Sequence, residues 1–255
     1  MGTPTNAPDR LLIQFSAERF AFCRVSGGKT GALESRPLPH GEGLPDALRS
    51  LLQCEALQCP EGGATVLYDT DRVCLIPSEY YRENDSERYM TLSGIPPEAD
   101  RRTVATAPRD GKIALIGVEN AIHDCLLSAY GERTVYAHPL LEAAARQSPQ
   151  PLLTAALTRR FVHLSAYDGG LLFAETLPLN SDADLLYYLA ALKKIYAGTR
   201  FRIEISGTGA AQMRRVAARY FRRTRLFSPS VNRSAAGREN VCDFTHLIRL
   251  NHENH

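Results

Sequence analysis

Residues 161–192 read FVHLSAYDGGLLFAETLPLNSDADLLYYLAAL. Two strand-like runs, Phe161–Tyr167 and Leu171–Leu177, flank Asp168, Gly169 and Gly170. Glycine takes up positive φ without a Cβ clash, so this trio reads as the turn of a hairpin. Leu185, Leu189 and Leu192 then recur at i, i+4 and i+7, the spacing of one apolar face of a helix. Asp182 reads as the residue that caps it. With Leu152–Leu157 as a preceding strand, the block is a three-strand meander followed by a helix.

Sliding the chain by 141 residues lays 11–52 on 152–193 without a gap, and 11 of those 42 positions are identical. Average residue usage gives about three by chance. The pairs include Leu11/Leu152, Phe20/Phe161, Glu34/Glu175, Pro37/Pro178 and Leu48/Leu189. The first copy reads in the same way, with strands Leu11–Ser16 and Phe20–Ser26, a third running to Leu38, and a helix carrying Leu44, Leu48 and Leu51. The expectation is an internally duplicated α/β chain divided at 148–151. Residues 1–150 form the first part, with 1–9 as a frayed tail, and 151–255 the second, with 228–240 as an exposed loop.

The 255 residues are 44% apolar and 23% charged, ordinary values for a globular protein. No apolar run approaches the ~20 residues that cross a bilayer, and 1–9 lack the basic and apolar regions of a secretory signal. A cytoplasmic protein without membrane contact is expected. Cys54 and Cys59 are the nearest of six cysteines, but no C-x-x-C pair exists, so no metal site is expected. Charge is uneven: 1–150 hold 15 basic and 20 acidic side chains, and 151–255 hold 15 and 8. A basic second half attracts anionic partners.

A duplicated meander with alternating helices and strands resembles the actin-like ATPase (ribonuclease H-like) superfamily. More narrowly, TVLYDTDRVCLIPSEYY (65–81), residues 161–192 and FRIEISGTG (201–209) are similar to an uncharacterised bacterial family, domain of unknown function 3822. The superfamily resemblance implies that the turns of both first hairpins grip phosphate with an acidic, glycine-bearing sequence. At the first turn this chain has Gln14, Ser16 and Glu18, with no glycine; at the second it has Thr158, Arg159 and Arg160, with no acid. The strand–turn–helix start at Ser206, Gly207, Thr208 and Gly209 resembles the turn that approaches adenosine. It also reads as an ordinary β–α turn. Weak, Mg-free ATP or other nucleotide binding remains open on this reading, and hydrolysis is not expected.

After that turn a helix over 210–223 is expected, with Met213, Val216, Ala217 and Tyr220 as its apolar stripe. Arg214, Arg215, Arg219, Arg222 and Arg223 then fall on exposed faces. They read either as a solvated surface or as contacts to an anionic partner. Three functions are consistent with the sequence. The first is a catalytically inactive actin-like scaffold that binds another protein. The second is a Mg-dependent ATPase or phosphotransferase using atypical acids such as Glu18. The third is a nucleic-acid-associated protein acting through the basic second half. No nucleophile elbow, P-loop or H-E-x-x-H motif is present.

Overall fold

A computed structural model describes residues 9–15, 19–27, 29–38, 43–58 and 61–227. These fall into two compact units, 9–139 and 140–227. The first unit opens with β1 (Arg10–Phe15), β2 (Arg19–Ser26), β3 (Lys29–Thr30), β4 (Glu34–Pro37) and α1 (Leu44–Leu52). It continues with β5 (Ala64–Tyr68), β6 (Val73–Pro77), α2 (Ser86–Leu92), β7 (Arg101–Ala105), β8 (Lys112–Glu119), α3 (Asn120–Tyr130) and β9 (Thr134–Ala137). Helix α4 (Pro139–Ala144) stands at the division. The second unit holds β10 (Leu152–Leu157), β11 (Phe161–Asp168), β12 (Gly170–Pro178), α5 (Asp182–Ile195), β13 (Arg202–Gly207), α6 (Ala210–Ala217) and β14 (Thr224–Leu226).

The second unit is one sheet, ordered β12-β11-β10-β13-β14, with the first three strands antiparallel and β13 and β14 joined in parallel. Strand alternation splits its residues between two faces. Leu153, Ala155, Val162, Leu164, Ile203 and Ile205 point to the face packed by Leu185, Leu189 and Leu192 of α5 and by Met213 and Ala217 of α6. The opposite face is polar: Thr154 has Ser165 beside it on β11 and Glu204 beside it on β13, and all three are buried. Ser181, rather than Asp182, caps α5. The Asp184 carboxylate accepts the Asn180 and Ser181 amides at 2.8 and 2.9 Å, so the acid acts from inside the first turn.

The first unit repeats this strand order around β2-β1-β5-β9, with β1–β2 antiparallel and β1–β5 and β5–β9 parallel. The third strand is broken into β3 and β4, both paired to β2. The 141-residue register is kept only in part. Phe15 faces Phe20 at the first hairpin and Leu157 faces Val162 at the second, so equivalent positions there lie 142 apart. At the third strand, Arg19↔Pro37 corresponds to Phe161↔Pro178, which returns to 141 for the prolines. A one-residue slip exchanges the two faces of a strand, so Leu11/Leu152 and Phe20/Phe161 are not structural equivalents.

A three-stranded sheet, β6-β8-β7, branches from the first unit and packs Cys74, Ile76 and Leu115 against Met90 of α2. The chain turns at 78–80 and forms α2 at Ser86. The helix expected over 210–223 ends at Ala217, where turns to the Val216 and Ala217 carbonyls take over. The apolar stripe is therefore completed by buried Phe221, and Tyr220 is 67% exposed. The expected loop at 228–240 and the tail at 1–8 lie outside the described residues. Among the described residues no helix is long and apolar enough to cross a membrane.

Candidate functional site

In the second unit the parallel pairing of β10 with β13 sets Leu157 opposite Gly207. The 158–160 turn and the 206–209 turn therefore stand side by side at the carboxyl ends of these strands, the end where open α/β sheets bind ligands. Their polar groups are largely engaged in holding the turns. The Thr158 hydroxyl donates to the Phe161 carbonyl at 2.8 Å and accepts the Phe161 and Arg160 amides at 2.9 and 3.2 Å. The Thr208 amide donates to the Leu157 carbonyl at 2.9 Å. Gly207 has φ +91°, and a Cβ there would overlap the Leu157 backbone. Close packing of the two turns thus accounts for this glycine. Arg159 and Arg160 are exposed and Ser206 is buried. In the first unit Gln14 is buried in β1, and Ser16 and Glu18 lie outside the described residues.

One carboxylate on the polar face of the second sheet was not singled out from the sequence. Glu204, 2% exposed, is met by Arg146 at 3.1 Å, by Arg202 at 3.3 Å and by Arg225 from the neighbouring strand. Burial alone raises a carboxyl pKa, but Arg146 and Arg225 outweigh it and hold Glu204 below the ordinary carboxylate range. The signal was present in the sequence: Glu204 is the single acid between Leu185 and Phe227, a span with ten Lys and Arg.

A cleft of about 410 Å³ opens in the first unit. Its walls include Val104, Ala105 and Thr106 at the end of β7, His123 and Leu127 of α3, and Thr134, Val135 and Tyr136 of β9, with Glu132 just before that strand. Among the described residues β9 ends one sheet and β7 ends another, so two strand edges border one mainly apolar hollow. The His123 and Tyr136 rings stack with centroids 5.8 Å apart, and the Tyr136 hydroxyl lies 3.0 Å from His123 Nδ1. Burial, reinforced by the positive charge of Arg102, lowers the His123 pKa. Burial raises the Tyr136 pKa, so both side chains are neutral near pH 7. This cleft too was missed, because it is assembled from three elements separated in sequence.

Among the described residues no cysteine forms a disulfide. Cys54 is exposed, and burial pushes the Cys23 thiol up to about 12, removing it as a nucleophile at neutral pH. Of the basic candidates, Arg214 is half-buried on α6, and Arg215, Arg219, Arg222 and Arg223 are exposed on α6 and the turn after it.

The whole arrangement has known counterparts. A protein of Bacteroides thetaiotaomicron VPI-5482 with actin-like ATPase fold and unknown function is similar with a TM-score of 0.78 and 13% identity, over 99% of this chain and 98% of that one. The PilM-PilN type IV pilus biogenesis complex contains a similar chain, with a TM-score of 0.59 and 15% identity over 96% and 98%. Identities this low speak for the fold alone, which is α/β with mixed sheets and actin-like. No curated protein sequence matches the chain. The family model described as "Protein of unknown function (DUF3822)" matches residues 3–194, and the chain belongs to that family.

Proposed function

We propose that this protein is a non-catalytic member of the actin-like fold that binds an extended segment of another protein in the cleft between β7 and β9. The observation that carries the reading is the pair of strand edges beside one apolar hollow. An exposed edge presents backbone N–H and C=O groups to a strand from a partner, and adjacent pockets select its side chains. Leu127 and Val135 are 45% and 44% exposed at this cleft, large apolar side chains that such a segment would cover. The similarity to a chain of a two-protein complex agrees with a protein partner.

The departures from an ATPase favour the same reading. The second hairpin turn has no acid to hold Mg²⁺, its threonine hydroxyl is engaged within the turn, and the neighbouring glycine serves packing on Leu157. An origin of the two units by duplication is supported by their shared strand order, with one residue gained or lost between second and third strands. Phosphate release from Mg·ATP tests the non-catalytic half: none above background is expected. Turnover abolished by Glu18→Gln would establish an active phosphotransferase instead. Leu127→Arg with Val135→Arg tests the binding half. Both residues are exposed, so the doubly substituted chain should fold and lose a protein that co-purifies with the wild type from its native cell.

A further inference from the structure

The basic surface of the second unit shares no residue with the cleft and makes a different demand on a partner. Between Leu185 and Phe227 the chain has ten Lys and Arg and one acid, Glu204. That acid is buried and already neutralised by Arg146, Arg202 and Arg225. The exposed cations Lys193, Lys194, Arg215, Arg219, Arg222 and Arg223 therefore have no carboxylate within this span to interleave with them. A solvated surface ordinarily mixes both signs. The Lys193 ammonium lies 5.0 Å from the centre of the Phe221 ring, which joins the end of α5 to the end of α6 in one surface.

Two further features narrow the anion. Tyr220, 67% exposed, stands between Arg219 and Arg222, and Tyr187, 70% exposed, shares a face of α5 with Lys194 at i, i+7. Flat rings in a field of arginines stack on bases while the guanidinium groups contact phosphates. An acidic peptide leaves the rings without a role. An anionic membrane surface would likewise use the charges alone, because the apolar stripe of α6, Ala210, Met213 and Ala217, is buried against the sheet and cannot insert.

We propose that this face binds single-stranded nucleic acid without sequence selection, through Arg215, Arg219, Arg222 and Arg223 to phosphates and through Tyr220 to a base. The site shares no residue with the β7–β9 cleft. The test is fluorescence anisotropy of a labelled 12-nucleotide single-stranded RNA with the full chain. Binding at 50 mM salt is expected, weakened roughly 50-fold at 200 mM if four phosphates are engaged. Replacing Arg215, Arg219 and Arg222 with Gln should weaken binding at least tenfold and flatten the slope of log K against log salt by about two. Tyr220→Ala should cost about tenfold with the slope unchanged, a separation that bulk charge attraction would not produce. Absence of binding at 50 mM salt, or binding untouched by the triple replacement, would overturn the proposal. Tighter binding of polyglutamate or of phosphatidylglycerol vesicles than of RNA would overturn it in favour of those partners.

Discussion

Gly207 and Leu157 approach so closely across the parallel β10–β13 pair that no side chain fits at position 207. The glycine therefore belongs to the joint between two turns. Gly207→Ala meets both an unfavourable φ of +91° and backbone overlap, and should cost at least about 2 kcal/mol in urea unfolding. Gly209, with φ +71° and open space around its Cβ position, is the control; Gly209→Ala should cost only about 1 kcal/mol. Equal losses at the two positions would contradict the packing account.

Glu204→Gln leaves three guanidinium groups around a neutral amide. The arginines are partly exposed and stay solvated, so the loss is that of charge-assisted hydrogen bonds, about 1–3 kcal/mol, readable in the same unfolding experiment. The pH dependence has a defined sign. The folded-state pKa of Glu204 lies below its ordinary value of 4.5, so the stabilisation is complete above about pH 4.5 and is lost as pH falls through the folded value. Stability curves of wild type and Glu204→Gln should converge on acidification below pH 4.5. Curves that stay parallel would remove the arginine network as the cause.

His123 titrates in the opposite charge sense with the same direction of loss. Its folded pKa is depressed below 6.5, so folding favours the neutral ring. The contribution is complete above about pH 6.5 and fades as pH falls toward the folded value. His123→Leu should flatten this part of the stability profile between neutral pH and pH 5. Tyr136→Phe, which removes the hydroxyl 3.0 Å from Nδ1, should cost about 1 kcal/mol at pH 7.

The cap of α5 gives a local test. Asp184 accepts two amides ahead of the helix, so Asp184→Ala should lower stability by about 1 kcal/mol, and Asp182→Ala by less. The reverse order in thermal unfolding would return the cap to Asp182.

The second meander was legible because its signals are local: Gly169 and Gly170 at the turn, and Leu185, Leu189 and Leu192 on one helix face. The first meander was only half legible. Its third strand breaks at 31–33, and a one-residue shift between β2 and β4 hides the true register of its hairpin from an ungapped match. The branching sheet β6-β8-β7 escaped because its strands look like ordinary members of an alternating α/β series, and only pairing tells them apart. Strand edges are likewise absent from sequence periodicity, so the cleft of His123, Leu127, Val135 and Tyr136 emerged only with the topology. The exposed arginines on 215–223 were visible from spacing, but the early end of α6 moved Tyr220 out of the core and into their midst.

The cleft is the centre of the functional account, and a photo-crosslinking amino acid placed at Val135 probes it most directly. In the native cell, irradiation should join the chain to one protein partner from Val135, and Leu127→Arg should abolish the adduct. The same amino acid at Tyr187, on the second unit, should not yield that adduct. An adduct formed equally from both positions, or none from Val135 in a chain that folds normally, would contradict partner binding between β7 and β9.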